Sequence, residues 1–392
     1  MKLKKVFKWY FLVPSVIILI IILAFLIWFI KPAKTLDIAI LDKTTPATSA
    51  DGESYLGDVE NNYRKHLGSN WIADYLKIKN PETDELYDYT TDYYGNKFDD
   101  EGKIIKTDKL TSMKKAPDLL YLADSYGIEG NKDKGITAEE MNMISYCNSL
   151  GSTIIGEQDI LTTGTDSKIS SQLQSLFGIS STGWVGRYIY DLADLSDVPY
   201  WAPDMYLEKY GVEWRCSGSG ILLVSGSGDI IVLEESTDFK SKNLLKIAIA
   251  DDYKSEFGSK NLNYYNWFEL INVEKGTEAL AEYTFNLNST GMENFKPVSS
   301  SPTFTAVTRK TTKYGGVNYY FAGDFNDFVT ETKPYCFLGA DLLYRLISFD
   351  KEGDITNFYW NFYEPMMKKI MKDCLDKSSE ESNNKNEVNS VP

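Results

Sequence analysis

The feature that most constrains this chain is an uncharged, strongly apolar run from Tyr10 to Ile30. A helix over this run would be about 30 Å long, which matches the hydrocarbon thickness of a lipid bilayer. A cleaved signal peptide is the alternative, but its apolar region is usually only about 7–15 residues long and ends in a small-residue cleavage site. Here the run ends in Trp28-Phe29-Ile30, followed by Lys31-Pro32-Ala33-Lys34. The sequence therefore predicts an uncleaved transmembrane helix over residues 10–30.

Basic residues flank this run unevenly. Two lysines follow it directly, whereas four precede it: Lys2, Lys4, Lys5 and Lys8. Because cytoplasmic flanks carry the excess of lysine and arginine, residues 1–9 are predicted to be a cytoplasmic segment. We therefore expect a single-pass protein of the cell membrane whose main domain lies outside the cytoplasm.

The residues after the apolar run are acidic. The first thirty residues hold four of the 41 lysines and arginines and none of the 56 acidic residues, so the remainder carries 37 − 56 = −19. This balance repels nucleic acid and anionic lipid and argues against a polyanion-binding function. Residues 31–376 are predicted to form one extracytoplasmic domain. Residues 377–392 are polar and poor in apolar side chains, and we expect a disordered tail there.

Neither a metal site nor a cofactor site is predicted. The four cysteines, Cys147, Cys216, Cys336 and Cys374, match no metal-binding spacing. In an oxidising compartment they could form one or two disulfides, and buried free thiols are equally compatible with the sequence. Two Ser-Gly-Ser-Gly stretches, residues 217–220 and 225–228, flank predicted strands and are followed by no lysine, so they fail as phosphate-binding loops.

Apolar runs alternate with helical patterns in the first half of the domain. Strands are predicted at residues 36–41, 117–124 and 152–156, with a helix after the first and a capping box at Thr137-Ala-Glu-Glu140 before the third. This alternation favours an α/β fold with a flavodoxin-like parallel sheet and helices on both faces. The polar, Tyr-rich residues 80–109 are predicted to be a loop or a hairpin.

Beyond Ser180 the pattern becomes β-rich. A hairpin is predicted around Ser225–Asp229. Further predicted strands cover residues 267–273, 280–287, 304–312 and 316–322, and two helices cover residues 342–347 and 357–375.

Acidic side chains follow all three predicted parallel strands: Asp42, Asp124 and Glu157. Because ligands in such sheets bind beyond the carboxyl ends of the strands, we expect these carboxylates to converge at one edge. Tyr126 follows Asp124 closely and would suit stacking on a sugar ring. Arg187 is expected to neutralise part of the negative charge, since unpaired carboxylates repel one another. For Glu157 the alternative is a helix cap, and for Asp124 and Tyr126 it is an ordinary turn.

Three further residues are candidates for the same ligand site. His66 is the only imidazole in the chain and follows the first strand by about 25 residues, but a surface role is the commoner one for a lone histidine. Trp184 shares a glycine-rich segment with Arg187, which could bind a ligand carboxylate or pair internally with Glu157 or Asp191. Asp324 follows a predicted strand and would either line the site or cap a neighbouring element.

Four segments together carry a resemblance to a known superfamily: Leu41-Asp42-Lys43, residues 118–124, the 137–151 helix leading into Ile154–Glu157, and residues 319–325. On these segments, which span roughly residues 36–325, the chain resembles the class I glutamine amidotransferase-like superfamily in its degenerate, sugar-associated branch. Active members use a cysteine nucleophile on a strand-to-helix elbow, assisted by His and Glu. The elbow-like turn here is Gly156-Glu157-Gln158, and the only histidine comes early in the chain. Since the nucleophile needs a base, glutamine hydrolysis is excluded.

Together with the predicted membrane anchor, the resemblance implies a membrane-anchored, non-catalytic ligand-binding or accessory protein of cell-surface polysaccharide handling. Its partners would be the membrane, a glycan, and membrane proteins of a polysaccharide system. The alternative is a glycan-cleaving or glycan-modifying enzyme that uses Glu157 and Asp124 as acid and base. A scaffold that only joins membrane partners is a third class compatible with the sequence.

Overall fold

The structure is a computed structural model that describes residues 2–45, 63–99, 104–127, 134–161, 164–328, 330 and 333–389. In these ranges most strands belong to one mixed twelve-stranded sheet, accompanied by two small two-stranded sheets. The strands are β1 (Lys34–Thr35), β2 (Ile38–Asp42), β3 (Ile78–Lys79), β4 (Gly95–Phe98), β5 (Ile104–Asp108), β6 (Leu119–Asp124), β7 (Thr153–Glu157), β8 (Ile179–Ile189), β9 (Gly220–Ser225), β10 (Ile230–Glu234), β11 (Leu245–Ile249), β12 (Asn261–Asn263), β13 (Trp267–Val273), β14 (Glu278–Phe285), β15 (Thr303–Thr311) and β16 (Val317–Phe321).

Helices precede, connect and follow these strands. The α-helices are α1 (Lys2–Ile30), α2 (Arg64–Leu76), α3 (Ala138–Ser149), α4 (Ser167–Phe177), α5 (Ala202–Tyr210), α6 (Glu235–Asp238), α7 (Lys254–Phe257), α8 (Ser289–Phe295), α9 (Ala340–Ile347), α10 (Thr356–Phe358) and α11 (Glu364–Asn389). Short 3₁₀ turns cover Leu110–Ser112, Gln158–Ile160 and Asp251–Tyr253, and a π turn over Tyr359–Tyr363 joins α10 to α11.

Four neighbouring strands, in the order β16-β7-β6-β2, form the parallel half of the sheet. The three strands predicted from apolar runs are β2, β6 and β7, and every residue in them is buried. Fully buried strands of this kind are typical of a parallel sheet covered on both faces. The prediction of an α/β fold with a parallel sheet is therefore confirmed at this level.

The other half of the sheet is antiparallel and lies between β7 and β16 in the sequence. The predicted hairpin is confirmed, with β9 pairing to β10 across residues 226–229. Strand β15 joins the halves, since it pairs antiparallel with β14 on one side and with β16 on the other. The expected excursion at residues 80–109 contains the antiparallel pair β4–β5.

The capping box predicted for α3 is present with both of its hydrogen bonds. The Thr137 hydroxyl accepts from the Glu140 backbone N–H at 3.2 Å, and the Glu140 carboxylate accepts from the Thr137 backbone N–H at 2.9 Å. The same carboxylate lies 2.8 Å from the ammonium of Lys43, which follows β2. The cap therefore also ties the start of α3 to the end of the first parallel strand.

The two ends of the chain are helical. Within the described residues, Leu12–Ile30 of α1 is the one segment long and apolar enough to cross a membrane, and none of it is buried in the fold. At the other end, the segment from Lys377, predicted to be a disordered tail, continues α11 as far as Asn389, and residues 390–392 lie outside the description. Extending an existing helix adds one hydrogen bond per residue without a new nucleus, which favours this continuation.

All four cysteines are free thiols in this structure. Cys147, Cys216 and Cys374 are buried, and Cys336 is partly exposed. The sequence is compatible with either disulfides or free thiols, and the structure has free thiols.

Candidate functional site

The carboxyl ends of the parallel strands bring the predicted acidic residues to one edge. Asp42 lies opposite Asp124 in the β2–β6 register, and Phe321, at the end of β16, lies opposite Glu157. Asp324 follows β16 by three residues. All four carboxylates are buried, and Asp124 and Glu157 are each only 1% exposed. The edge is therefore acidic, as the sequence suggests, but its carboxylates point inward.

One cation, Lys65 in the first turn of α2, lies in the middle of these carboxylates. Its ammonium is 2.8 Å from an oxygen of Asp324, 3.3 Å from Asp124 and 3.4 Å from Asp159. Burial by itself would lower the pKa of Lys65, but the carboxylates of Asp324, Asp124 and Asp159 raise that pKa well above its usual value. Lys65 therefore stays charged inside the protein. We refer to Lys65, Asp124, Glu157, Asp159 and Asp324 as the Lys65 cluster.

Glu157 is held in the Lys65 cluster by hydrogen bonds. One of its oxygens accepts hydrogen bonds from the Tyr121 hydroxyl at 2.7 Å and the Asn326 backbone N–H at 2.9 Å. Its other oxygen has no hydrogen-bond partner among the described residues. Burial, together with the nearby Asp324 carboxylate, raises the pKa of Glu157 well above its usual value. A protonated, neutral Glu157 fits these surroundings best.

The single ammonium group of Lys65 cannot neutralise all the carboxylates of the Lys65 cluster, and protons retained on the carboxylates supply the rest of the balance. Burial is the main cause that raises the pKa of Asp159 well above its usual value, and the charges of Asp324 and Asp124 act in the same direction. Burial also raises the pKa of Asp124, against the opposing effect of Lys65. The Lys65 cluster therefore holds protons at a pH where isolated carboxyls have lost them.

Asn326 fastens the Lys65 cluster to α2. Besides its bond to Glu157, its side-chain oxygen accepts from the Ser69 backbone N–H at 2.7 Å, and its side-chain nitrogen donates to the Lys65 carbonyl at 2.9 Å. A Cβ added at Gly68 would lie 2.7 Å from that side-chain oxygen and 2.6 Å from the Tyr359 ring. Only glycine allows the helix and this loop to approach so closely.

His66 and Asp42 form a separate buried pair beside the Lys65 cluster. The Nδ1 of His66 is 2.6 Å from an Asp42 oxygen, and its Nε2 is 2.7 Å from the Tyr89 carbonyl. Both ring nitrogens of His66 therefore face oxygen atoms of the protein. Burial raises the pKa of Asp42, but hydrogen bonds from His66 and Thr45 outweigh burial and hold that pKa below its usual value. The ring is buried, and neither of its nitrogens is open to a substrate.

Tyr126 is the exposed aromatic at this edge. Its side chain is 45% exposed, and its backbone N–H donates to the Asp124 carboxylate at 2.7 Å. The ammonium of Lys134 lies 5.4 Å from the centre of its ring. Tyr126 is therefore placed where the sequence suggested, with its ring on the surface and its backbone tied to the Lys65 cluster.

Trp184 and Arg187 lie on β8, in the antiparallel half. Trp184 is opposite Ser225, and the Arg187 guanidinium is 3.3 Å from Asp197 and 5.6 Å from the ring centre of Trp267. The prediction that Arg187 supplies the neutralising charge is thus corrected, because its ion pair is with Asp197, and Lys65 contacts the carboxylates instead. Asp197 also accepts the backbone N–H of Tyr190, so this ion pair stabilises a local turn.

Sequence reasoning missed Lys65, Tyr121 and Asn326. Lys65 does carry a usable signal, since it shares a helical face with Ser69 and Ile72 (i, i+4, i+7) and both of those are buried. A lysine on a buried face requires an acidic partner, and the strand ends are the nearest source of carboxylates. Asn326 carries no such signal, because its contacts join segments more than 160 residues apart.

Within the described residues, no group of three or more His, Cys, Asp or Glu side chains is arranged to hold a metal ion. A groove of about 410 Å³ is lined by none of the Lys65 cluster, and its walls include Phe328, Tyr344, Ile347, Phe349 and Trp360. The acidic edge and this groove are therefore distinct features of the surface.

Comparisons with known proteins give no family. No protein-family model matches the chain, and no curated protein matches it. Among solved structures, Gan42B, a GH42 beta-galactosidase from G. stearothermophilus, is similar with a TM-score of 0.30 and 13% identity over 75% of this chain. This chain spans 28% of the length of that enzyme. The mmIFT52 N-terminal domain has a TM-score of 0.30 and 11% identity over 74% of this chain and 86% of that domain. Likeness at this level carries no argument about function.

Replacing Glu157 with glutamine tests the electrostatics of the Lys65 cluster. Because the pKa of Glu157 is raised in the folded state, its contribution to stability is complete below about pH 4.3, which is its pKa in the unfolded chain. That contribution is lost as the pH rises through the pKa of Glu157 in the folded state. Gln keeps both hydrogen bonds and has no charge to lose. We therefore expect Glu157→Gln to gain stability relative to wild type as pH rises above about 4.3, and to show no such gain below that pH.

The measurement is urea unfolding of both proteins at several pH values. The matched control is Glu213→Gln, whose side chain is 80% exposed, and its pH profile should follow that of wild type. Parallel profiles for wild type and Glu157→Gln would show that Glu157 ionises as an ordinary carboxylate.

Proposed function

We propose that this chain is a membrane-anchored, extracytoplasmic, non-catalytic accessory protein of cell-surface polysaccharide handling, built on a flavodoxin-like domain of the amidotransferase-like kind. The observation that carries the non-catalytic part is the Lys65 cluster. At the strand edge where such sheets bind their ligands, Lys65, Asp124 and Asp324 are buried and paired, and Glu157 is buried against Tyr121 and Asn326. The polysaccharide part rests on the sequence resemblance.

The chemistry of the described side chains supports a non-catalytic role. Burial raises the pKa of Cys147 and Cys374 to about 11 and that of Cys336 to about 12, so these thiols are protonated and unreactive at neutral pH. Burial likewise raises the pKa of Cys216. His66 is held by acceptors on both nitrogens. A thiol nucleophile would therefore lack both ionisation and a base.

The enzymatic alternative requires Glu157 and Asp124 to reach a glycosidic bond. Glycosidases place their two carboxyls on either side of the bond in an open site. Here both carboxyls are 1% exposed, and each accepts hydrogen bonds from the protein. A glycan at this edge would meet Tyr126 and Lys134 instead. The geometry therefore favours an accessory role over cleavage.

The membrane part of the proposal rests on α1. Its segment Leu12–Ile30 has the length and composition of a membrane span, and a lysine-rich segment precedes it. With the N-terminus in the cytoplasm, the domain would sit on the outer face, where surface polysaccharides are handled.

The first expected result is an absence of turnover. The full chain in detergent should release neither ammonia from glutamine nor reducing ends from a panel of surface glycans, because its acidic side chains do not reach a substrate. The readout is compared with that of Glu157→Gln and of Glu213→Gln. Turnover in wild type and Glu213→Gln that disappears in Glu157→Gln would establish the enzymatic alternative.

The second expected result concerns topology. Protease added to intact spheroplasts that express the full chain should digest the domain after Lys34, since that domain is proposed to face outward. A cytoplasmic protein in the same cells, which should stay intact, is the control for lysis. A domain that is digested only after the membrane is broken would contradict the proposed orientation.

A further inference from the structure

Helix α9 turns its apolar side chains outward and its charged side chains toward the protein. Its leucine and isoleucine side chains face outward, with exposed fractions between 44% and 76%: Leu342, Leu343, Leu346 and Ile347. Its charged side chains, Asp341 and Arg345, face the protein. A surface helix in water normally does the opposite and turns its apolar stripe to the core.

The inward charges of α9 are held by specific partners. Asp341 is only 7% exposed, accepts from the Tyr75 hydroxyl at 2.7 Å, and forms an ion pair with Lys368 of α11. Arg345 pairs with Glu364, which is fully buried. These contacts fix the rotation of α9 about its axis, so the outward apolar face is built into the fold.

The residues flanking α9 extend this face. Leu338 is 53% exposed and Phe349 is 77% exposed. We call Leu338, Leu342, Leu343, Leu346, Ile347 and Phe349 the apolar face. A continuous exposed apolar surface of this kind is a mark of an interaction site.

The apolar face is continuous with the candidate membrane span. The backbone N–H of Leu338 donates to the Ala24 carbonyl of α1 at 3.2 Å, and the Phe25 and Phe337 rings lie 5.0 Å apart. Ala24 precedes Ile30 by six residues, which places it about 9 Å below the end of the helix. Amphipathic helices that lie in a membrane surface bury their apolar face about 5–10 Å deep. The Leu338 end of the apolar face therefore lies at a level along α1 that falls within this range.

Lysines surround the end of α1 at the level where lipid headgroups would lie. The ammonium of Lys77 donates to the carbonyls of Phe29 and Lys31 at 2.7 and 2.8 Å. Burial, and then the neighbouring ammonium groups of Lys372, Lys34 and Lys77, lower the pKa of Lys31, which shows how closely these cations gather. Such a group suits phosphate headgroups, even though the chain as a whole is acidic.

We propose that the apolar face inserts into the outer leaflet of the bilayer beside α1, so that the domain is held against the membrane in one orientation. The occupant of this face is lipid: acyl chains against the leucines and headgroup phosphates at the lysines. This inference rests on the proposed anchoring by α1. It adds a second membrane contact that a single span does not require.

The test measures the depth of one position in the membrane. The full chain with Cys336→Ala, whose other cysteines are buried, receives a single new cysteine by Leu342→Cys, a bimane label, and reconstitution into phosphatidylcholine–phosphatidylglycerol vesicles. Leu195→Cys is the matched control, because Leu195 and Leu342 are both 58% exposed. Lipids with a nitroxide high on the acyl chain should quench the label at 342 at least threefold more strongly than the label at 195.

The other outcomes separate this inference from the proposed function. Equal quenching at the two positions, in chains that remain in the vesicles after alkaline washing, overturns the inserted face and leaves the anchor intact. Loss of the chain from the vesicles on washing overturns the anchor itself. A label at 342 that is shielded from aqueous iodide but not quenched by lipid nitroxides means that protein covers the face, which also overturns the proposal.

Discussion

The ammonium group of Lys65 holds together the ends of three parallel strands. It contacts the carboxylates of Asp124, which ends β6, and of Asp159 and Asp324, which follow β7 and β16. Burying a charge is costly unless partners compensate it, and removing one partner from a buried ion pair usually costs about 3–5 kcal/mol. The excess of carboxylates over cations is offset by retained protons, as the raised pKa of Glu157 shows. The position of α2, which carries Lys65, and that of the loop after β16 therefore depend on the same charge balance.

This arrangement changes what the strand edge can do. An edge that binds a ligand needs polar groups that are free to exchange protein partners for ligand partners. Here Tyr121 and Asn326 already engage one oxygen of Glu157, His66 engages Asp42, and both carboxylates are buried. In the proposed function, recognition would then fall to other surfaces. The groove of about 410 Å³ shares Ile347 and Phe349 with the apolar face, so in the proposed orientation it would open at the membrane surface.

Local sequence signals predicted the parts of the fold that depend on local physics. The capping box at Thr137 formed with both bonds, and Asp124 and Glu157 end buried strands because apolar runs stop there. The basic partner of those acids was assigned to Arg187 in error, because only the register of β8 directs Arg187 to Asp197, whereas the buried helical face of Lys65 was the signal to follow. The pairing of β16 with β7 was also not predicted, because the whole antiparallel half of the sheet separates these two strands in the sequence. Net charge, finally, did not reveal the local group of lysines around Lys31.

The most direct test of the structural role of the Lys65 cluster is a double-mutant cycle on Lys65 and Asp324, which lie 2.8 Å apart. The free energy of unfolding would be measured at pH 7 for wild type, Lys65→Met, Asp324→Asn and the double variant. We expect Lys65→Met to be strongly destabilising, and the double variant to be more stable than the sum of the single changes predicts, by more than about 1 kcal/mol, as is common for contacting charged residues. Single effects that add to within about 0.5 kcal/mol would contradict the account, because they would mean that Lys65 and Asp324 are not held by each other.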